Sequence, residues 1–125
     1  MPVHWTISHP ARLVLAVAKD NVKVEDIEQY FAGVTAGDAM SYRKIFEIDT
    51  TSMALSDDML RGLGQRVVLY ARHGQVGPLA IVAGSDQSYA QAQVFASSAT
   101  ADRPLQIFRE RHAARRWLDE QEASR

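Results

Sequence analysis

Apolar residues recur along the chain with two alternating periods, which predict strands and helices in turn. Segments 3–8 and 12–18 are rich in β-branched and aliphatic residues, and Pro10 between them favours a turn, so they predict a β-hairpin. Residues 13–18 are apolar at every position, which is typical of a strand with both faces covered. We therefore expect helices on both sides of this strand.

After residue 21, segments with apolar residues at helical spacing alternate with short apolar runs, which predict strands. Ser56 is expected to cap the second helix, because Asp57 and Asp58 follow it as an acidic first turn. Gly62 and Gly64 lie inside that helix, and we expect close packing on the sheet to compensate for both. The predicted elements after the hairpin are a helix from about residue 24 to 33–37, a strand at 43–49, a helix at 56–73, a strand at 79–83, a helix at 88–98, a strand at 105–108 and a helix at 110–121.

This order, ββαβαβαβα, predicts an α/β fold with a single mixed five-stranded sheet and four helices. Strands joined through helical crossovers are parallel, and such connections are right-handed almost without exception. The chain has 125 residues, which is enough for one hydrophobic core and too few for two ordinary domains. We therefore expect residues 1–125 to form a single domain.

Charge and composition narrow the partners and the compartment. Fourteen basic and fifteen acidic residues leave a net charge of −1, which provides no field to attract nucleic acid, so no nucleic-acid partner is predicted. The absence of cysteine fits a reducing compartment. No secretory signal and no run of about 20 apolar residues is present, so we expect a cytoplasmic protein without an integral membrane segment.

The sequence carries no recognisable catalytic or cofactor motif. Its four histidines show no paired spacing on one element, so no metal site is predicted. No Gly-x-Ser-x-Gly elbow is present, and the glycines of segment 61–64 fall inside a helical pattern instead of following a strand. We therefore expect a protein that is not an enzyme and that holds no cofactor.

Polar residues follow two of the predicted strands at their carboxyl ends, where ligands bind in open α/β sheets. We expect them to form a polar recognition rim for a partner. The rim consists of Asp49, Thr50, Thr51, Ser52, Ser56, Asp57, Asp58, Ser85 and Asp86. The alternative is purely structural, with Ser56 as a helix cap and the aspartates as partners of the helix dipole.

The end of the chain carries a more specific pattern. Segment 105–109 reads Leu-Gln-Ile-Phe-Arg, and segment 113–118 reads Ala-Ala-Arg-Arg-Trp-Leu. With the order of elements, this resembles the SpoIIAA-like branch of the STAS domains. The resemblance implies a non-enzymatic protein-interaction or regulatory module of bacterial type, similar to the antagonists of anti-sigma factors. In phosphorylatable members, a serine preceded by aspartate begins the helix after the third strand. Here the corresponding serine, Ser56, is preceded by Leu55. The resemblance therefore implies a module in which no phosphorylation need be involved.

Some proteins with this fold resemble the lipid-carrying Sec14 domains, which implies an alternative function. The chain would then carry or sense an apolar small molecule, such as a lipid, in a cavity lined by its aromatic residues. Most aromatic residues fall on apolar stripes and are expected in the core. Tyr30, Tyr42, Tyr70 and Met59 are the least firmly internal, and they offer a surface for a homodimer.

Overall fold

The computed structural model describes residues 2–50, 53–99 and 103–123. The described residues form the predicted α/β fold, with a single mixed five-stranded sheet and four helices in the order ββαβαβαβα. Its elements are β1 (Val3–Ser8), β2 (Leu13–Lys19), α1 (Val24–Ala36), β3 (Arg43–Asp49), α2 (Asp57–His73), β4 (Leu79–Ala83), α3 (Asp86–Ser98), β5 (Leu105–Phe108) and α4 (Arg111–Ala123).

The strands lie in the sheet in their order along the chain, β1-β2-β3-β4-β5. β1 pairs antiparallel with β2, and every other neighbouring pair is parallel. Ala16 on β2 lies opposite Trp5 on β1 and Phe46 on β3, and Phe46 lies opposite Ile81 on β4. This register places side chains of equal parity from neighbouring strands on the same side of the sheet.

One side of the sheet is covered by α1, α2 and α3, and we call it the three-helix face. It carries Val14, Phe46 and Ile81, and most of the buried apolar side chains belong to the core above it. Leu60 on α2 and Ala92 on α3 are each 2% exposed in this core. The larger part of the hydrophobic stabilisation therefore comes from this side.

The opposite side packs against α4 alone, and we call it the one-helix face. Ala114 and Leu118 of α4 have no exposed surface and contact a small core that includes Ile45. The rings of Phe108 and Trp117 lie 5.7 Å apart at its border. Four residues of the closing sequence pattern thus attach α4 to the sheet, namely Phe108, Ala114, Trp117 and Leu118.

Two arginines hold α4 at its ends. Arg111, at the start of the helix, donates from Nε and Nη2 to the two carboxylate oxygens of Glu47 at 2.7 and 2.9 Å. The hydrogen bond to Glu47 and its charge raise the pKa of Arg111. Near the other end, Arg43 is 7% exposed and donates to the Leu118 carbonyl at 3.4 Å, with Asp119 at 3.5 Å. Both contacts join α4 to β3.

Coverage of the second strand differs from the prediction. Leu13 is 5% exposed beneath α4, but Leu15 on the same side is 39% exposed. The expectation that helices cover both sides of residues 13–18 is therefore wrong for Leu15. The reason is the position of α4, which contacts β3, β4 and β5 and leaves much of this side of β2 open. By contrast, every residue of β4 is buried, as predicted.

The four residues predicted to be least firmly internal have different environments. Tyr30 is 4% exposed and lies in the core above the three-helix face, so its expected place on a dimer surface is wrong. Tyr30 lies on the same face of α1 as Ile27 and Phe31, which are also buried. Tyr42 and Tyr70 are partly buried, and Met59 is 48% exposed.

The two glycines inside α2 have different surroundings. A Cβ atom added at Gly64 would lie 2.7 Å from the Ser98 Cβ and 2.9 Å from the Ala99 amide nitrogen, so this glycine lets α2 approach α3 closely. The predicted close packing is therefore found at Gly64, although against a helix and not the sheet. Gly62 is exposed, with nothing within 4 Å of such an atom, so the expectation is wrong there.

These surroundings predict opposite effects of the same substitution. Gly62→Ala should raise the free energy of unfolding by up to about 1 kcal/mol, because alanine is the better helix former at an open position. Gly64→Ala should lower it by about 1–3 kcal/mol, because the methyl group meets backbone atoms of the neighbouring chain segment. Urea denaturation of both variants checks this, and equal effects of the two would contradict the packing described.

Candidate functional site

The carboxyl ends of β3 and β4 meet at one edge of the sheet, as the prediction of a recognition rim requires. Ile48 pairs with Ala83, so Asp49 and Gly84 leave the sheet at neighbouring places. Asp49 lies 3.9 Å from the Lys19 ammonium, and both side chains are more than half exposed. Thr51 and Ser52 lie outside the described residues.

The remaining rim residues begin α2 and α3. Ser56 accepts a hydrogen bond from the Met59 amide at 3.2 Å, and Ser85 accepts one from the Ser88 amide at 3.0 Å, so both are helix N-caps. Because Ser85 is the cap, α3 begins at Asp86, two residues earlier than predicted. Both serines therefore act as helix caps, which is the role that the purely structural alternative gave to Ser56.

The aspartates of the rim lie in exposed positions at the same two helix starts. Asp58 accepts a hydrogen bond from Arg61 at 2.9 Å, and Asp86 accepts one from Arg109 at 3.0 Å. Asp57 lies in the first turn of α2, where the helix dipole favours a carboxylate. These contacts do not test whether a partner binds, and the recognition rim stays a prediction.

The loop between β3 and α2 closes this end of the three-helix face. Met53 and Leu55 are buried, and the Gln91 side chain of α3 holds the loop by accepting from the Met53 amide at 2.9 Å. Gln91 also donates to the Met53 and Leu55 carbonyls at 2.9 and 3.3 Å. The Ala54 amide donates to the Val22 carbonyl at 3.0 Å, which ties the loop to the segment before α1.

An apolar cavity of about 70 Å³ lies between the three-helix face and the three helices. Its floor is formed by side chains of β3 and β4, its roof by α1, α2 and α3, and one end by the loop just described. The lining residues are Ile27, Tyr30, Phe31, Val34, Met40, Lys44, Phe46, Ile48, Met53, Leu55, Leu60, Leu63, Val67, Tyr70, Val76, Leu79, Ile81, Gln91, Ala92, Phe95 and Arg103. Few of these side chains are polar, as is usual for small-molecule sites.

The charged lining residues belong to the amino ends of the strands. Lys44 is the second residue of β3, and Arg103 comes two residues before β5. Lys44 is 4% exposed, and its ammonium donates to the Met40 carbonyl and to the Tyr42 carbonyl, the latter at 2.8 Å. Both residues therefore lie toward the edge of the sheet opposite to the recognition rim.

Arg103 has one satisfied and one unsatisfied edge. Its Nη1 donates to the Gly77 carbonyl at 3.2 Å. Its Nε and Nη2 atoms are buried and have no hydrogen-bond partner among the described residues. Burial lowers the pKa of Arg103 to about 10. The guanidinium therefore still carries a positive charge at neutral pH.

Tyr30 brings a second unsatisfied polar group to the cavity. Its hydroxyl is buried and lacks a hydrogen-bond partner within the described part of the chain, while its ring packs edge-on against Phe46 and Trp5 at centroid distances of 5.3 and 5.7 Å. Burial raises the pKa of Tyr30 well above its usual range, and the nearby charge of Arg103 partly opposes this effect. The hydroxyl is consequently neutral and able to donate a hydrogen bond.

None of these three residues belongs to the predicted recognition rim, although Tyr30 is one of the aromatic residues from which a cavity wall was expected. Lys44 had a usable signal, because it has the same parity in its strand as Phe46 and Ile48 and must share their covered face. Tyr30 was expected to be among the least firmly internal aromatic residues, because it is not part of the clearest apolar stripe of its helix. Arg103 lies in a short connection before a strand, where periodicity gives no information about burial.

Comparison with known proteins gave no relative: no family model, no curated protein and no solved structure matches the chain. The resemblance to the SpoIIAA-like STAS domains therefore stays a prediction. None of the helices in the described ranges has the length and apolar character needed to cross a bilayer. Evidence for function must come from the geometry of the chain itself.

The unpaired hydroxyl of Tyr30 predicts a stability effect with a distinctive pH dependence. Tyr30→Phe should raise the free energy of unfolding at pH 7 by about 1–3 kcal/mol, because a buried group without a partner is removed. Above pH 10, the wild type should lose further stability relative to the variant, by up to about 1.4 kcal/mol per pH unit. The reason is that Tyr30 ionises in the unfolded chain at its usual pKa of about 10, whereas the folded chain keeps it neutral.

Denaturation of both proteins between pH 7 and pH 11.5 measures this difference directly. The effects of the other titrating groups, including Arg103, are largely common to the two proteins and cancel in the comparison. A stability difference that stays constant across this range would contradict the burial of the Tyr30 hydroxyl.

Proposed function

We propose that this chain binds a small apolar molecule between the three-helix face and its helices, and acts as a non-enzymatic carrier or sensor. The observation that carries the proposal is the cavity with buried, unpaired polar atoms of Tyr30 and Arg103 in its wall. An apolar space with a few convergent polar groups is the usual form of a ligand site. Unpaired buried groups lower stability and are satisfied by a ligand that supplies their partner.

The volume of the cavity limits the ligand. An apolar protein cavity of about 150 Å³ holds benzene, and the cavity here, at about 70 Å³, is roughly half as large. A molecule with a short apolar body fits with small adjustments of the lining side chains. A long acyl chain would require the helices to separate, so the size favours a small molecule over a lipid.

Binding in this position would act on all three helices at once. The ligand would touch α1, α2 and α3 and the strands beneath them, because each contributes lining side chains. A ligand at 100 times its Kd stabilises the folded state by about 2.7 kcal/mol. Occupation would therefore tighten the packing of the three helices, which is how a sensor would report its ligand.

A module for protein contacts, as the STAS resemblance implies, is the second candidate. The observation that favours it is the exposed start of α2, where Met59 is 48% exposed beside the acidic side chains of Asp57 and Asp58. Methionine is enriched at protein-binding surfaces, and the two carboxylates would lie at the polar rim of such a contact. This surface is separate from the cavity, so the two functions are compatible.

Filling the cavity tests the first proposal. Ala92→Leu places a larger side chain in the cavity and should abolish binding of butan-1-ol, used as a small apolar probe, with little loss of stability. The matched control is Ala90→Leu, an identical change two residues away on the exposed side of α3, which should bind like the wild type. Methyl NMR shifts during the titration report binding, and they should be concentrated on the lining residues.

Two results would overturn the proposal. The first is the absence of saturable binding of the probe, and of any small molecule retained by gently purified protein in native mass spectrometry. The second is probe binding to Ala92→Leu that equals binding to Ala90→Leu, because this would place the probe outside the cavity.

The second candidate predicts loss of a partner without loss of the fold. Replacing Asp57 and Asp58 together by lysine should abolish capture of a stoichiometric protein that the wild type retains from extract of its own cells. Thermal unfolding should change modestly, because each acid contributes about 0.3–1 kcal/mol through the helix dipole. The same double charge reversal at Glu25 and Asp26 in the first turn of α1 is the control. Equal capture by all three proteins would exclude the start of α2 as the contact surface.

A further inference from the structure

We propose that the ligand of the cavity is a short-chain monocarboxylate, whose carboxylate is held by the Nε and Nη2 atoms of Arg103 and by the Tyr30 hydroxyl. This inference rests on the proposed function and names the ligand class for the same site. Its basis is that Tyr30 and Arg103 both line one otherwise apolar cavity and that their buried polar atoms have no partner among the described residues. The two guanidinium nitrogens can only donate at pH 7, and the neutral Tyr30 hydroxyl can donate as well as accept, so an acceptor would satisfy all three.

The free edge of Arg103 determines the shape of the acceptor. Nε and Nη2 lie on the same edge of a guanidinium group and point their N–H bonds in parallel, while the third nitrogen, Nη1, is already bonded to the Gly77 carbonyl. Two parallel donors match the two oxygens of a carboxylate in a bidentate pair. A hydroxyl or a single carbonyl would satisfy only one of them.

The charge at this end of the cavity favours an anion. Arg103 is positive at pH 7, and no carboxylate among the described residues forms an ion pair with it. Charges act strongly at a site with low dielectric constant. A carboxylate would supply the missing negative charge as well as the missing acceptor.

The rest of the wall determines what the carboxylate is attached to. Beyond the polar end, the cavity is bordered by aliphatic and aromatic side chains such as Leu63, Val67 and Ile81. A hydrated inorganic anion would lose its water against these groups without compensation. A volume of about 70 Å³ suits a body of a few carbon atoms. Acids with about three or four carbons satisfy both conditions.

A matched pair of probes separates this inference from the proposed function. Sodium butanoate and butan-1-ol have the same carbon skeleton and differ in the head group, and their Kd values are measured by NMR titration at pH 7 on the full chain. We expect butanoate to bind at least tenfold more tightly than butan-1-ol. Ala92→Leu should abolish binding of both probes.

Variants of the two donors then locate the head group. Arg103→Lys keeps the positive charge but removes the parallel donors, and it should weaken butanoate binding by at least tenfold while changing butan-1-ol binding less than twofold. Arg116→Lys, at an exposed position of α4, is the matched control and should change neither. Tyr30→Phe should weaken butanoate binding about threefold to tenfold, and it provides the test if Arg103→Lys fails to fold.

The outcomes are distinguishable. If both probes bind the cavity with similar Kd values and Arg103→Lys changes neither, the carboxylate inference is overturned while the proposed function stands. If neither probe binds, both are overturned. If butanoate binds equally well to Ala92→Leu, or if Arg116→Lys weakens it as much as Arg103→Lys, the anion binds by surface charge and the inference is likewise overturned.

Discussion

The packing of α1, α2 and α3 against a single face of the sheet is the constraint on which the rest of this structure depends. Gly64 lets α2 and α3 approach each other closely, so this part of the layer is dense. The Tyr30 ring meets those of Phe46 and Trp5 edge-on at centroid distances of 5.3 and 5.7 Å. Rigid rings in such contacts cannot fill an irregular space as flexible aliphatic side chains do. A space therefore persists between the helices and the strands.

The two ends of that space differ in how their polar groups are satisfied. At the carboxyl ends of the strands, the Gln91 side chain pairs with the backbone of the loop 53–55, and Ser56 and Ser85 pair with helix amides. Toward the amino ends, Arg103 keeps buried donors without a partner among the described residues, and so does Tyr30, whose ring contacts Phe46 in the middle of β3. Each such group costs about 1–3 kcal/mol, a large share of the 5–15 kcal/mol that stabilises a typical domain. A bound acceptor would remove this cost, which is the physical basis for assigning a ligand to this end.

Strand and helix positions were predictable because burial leaves a period of two or 3.6 in the sequence. α2 shows the helical period best, whereas β4 was recognised as a short run that is apolar at every position. The caps Ser56 and Ser85 mark helix starts by their chemistry. The sequence could not show that three helices cover one face of the sheet and one helix covers the other, because an apolar strand does not reveal which helix covers each of its faces. The expected coverage of both faces of β2 was wrong at Leu15 for this reason. The unpaired donors were also missed, since Arg103 depends on a tertiary position that no local pattern encodes.

The most direct measurement of the central claim is a crystal structure of the protein grown with sodium butanoate, at a resolution that shows individual atoms. We predict a carboxylate between Tyr30 and Arg103, with its oxygens about 2.7–2.9 Å from Nε and Nη2 of the guanidinium, and its carbon chain among the apolar side chains of the cavity. Density showing the cavity closed by its own side chains, or Arg103 turned out to solvent with butanoate absent, would contradict it.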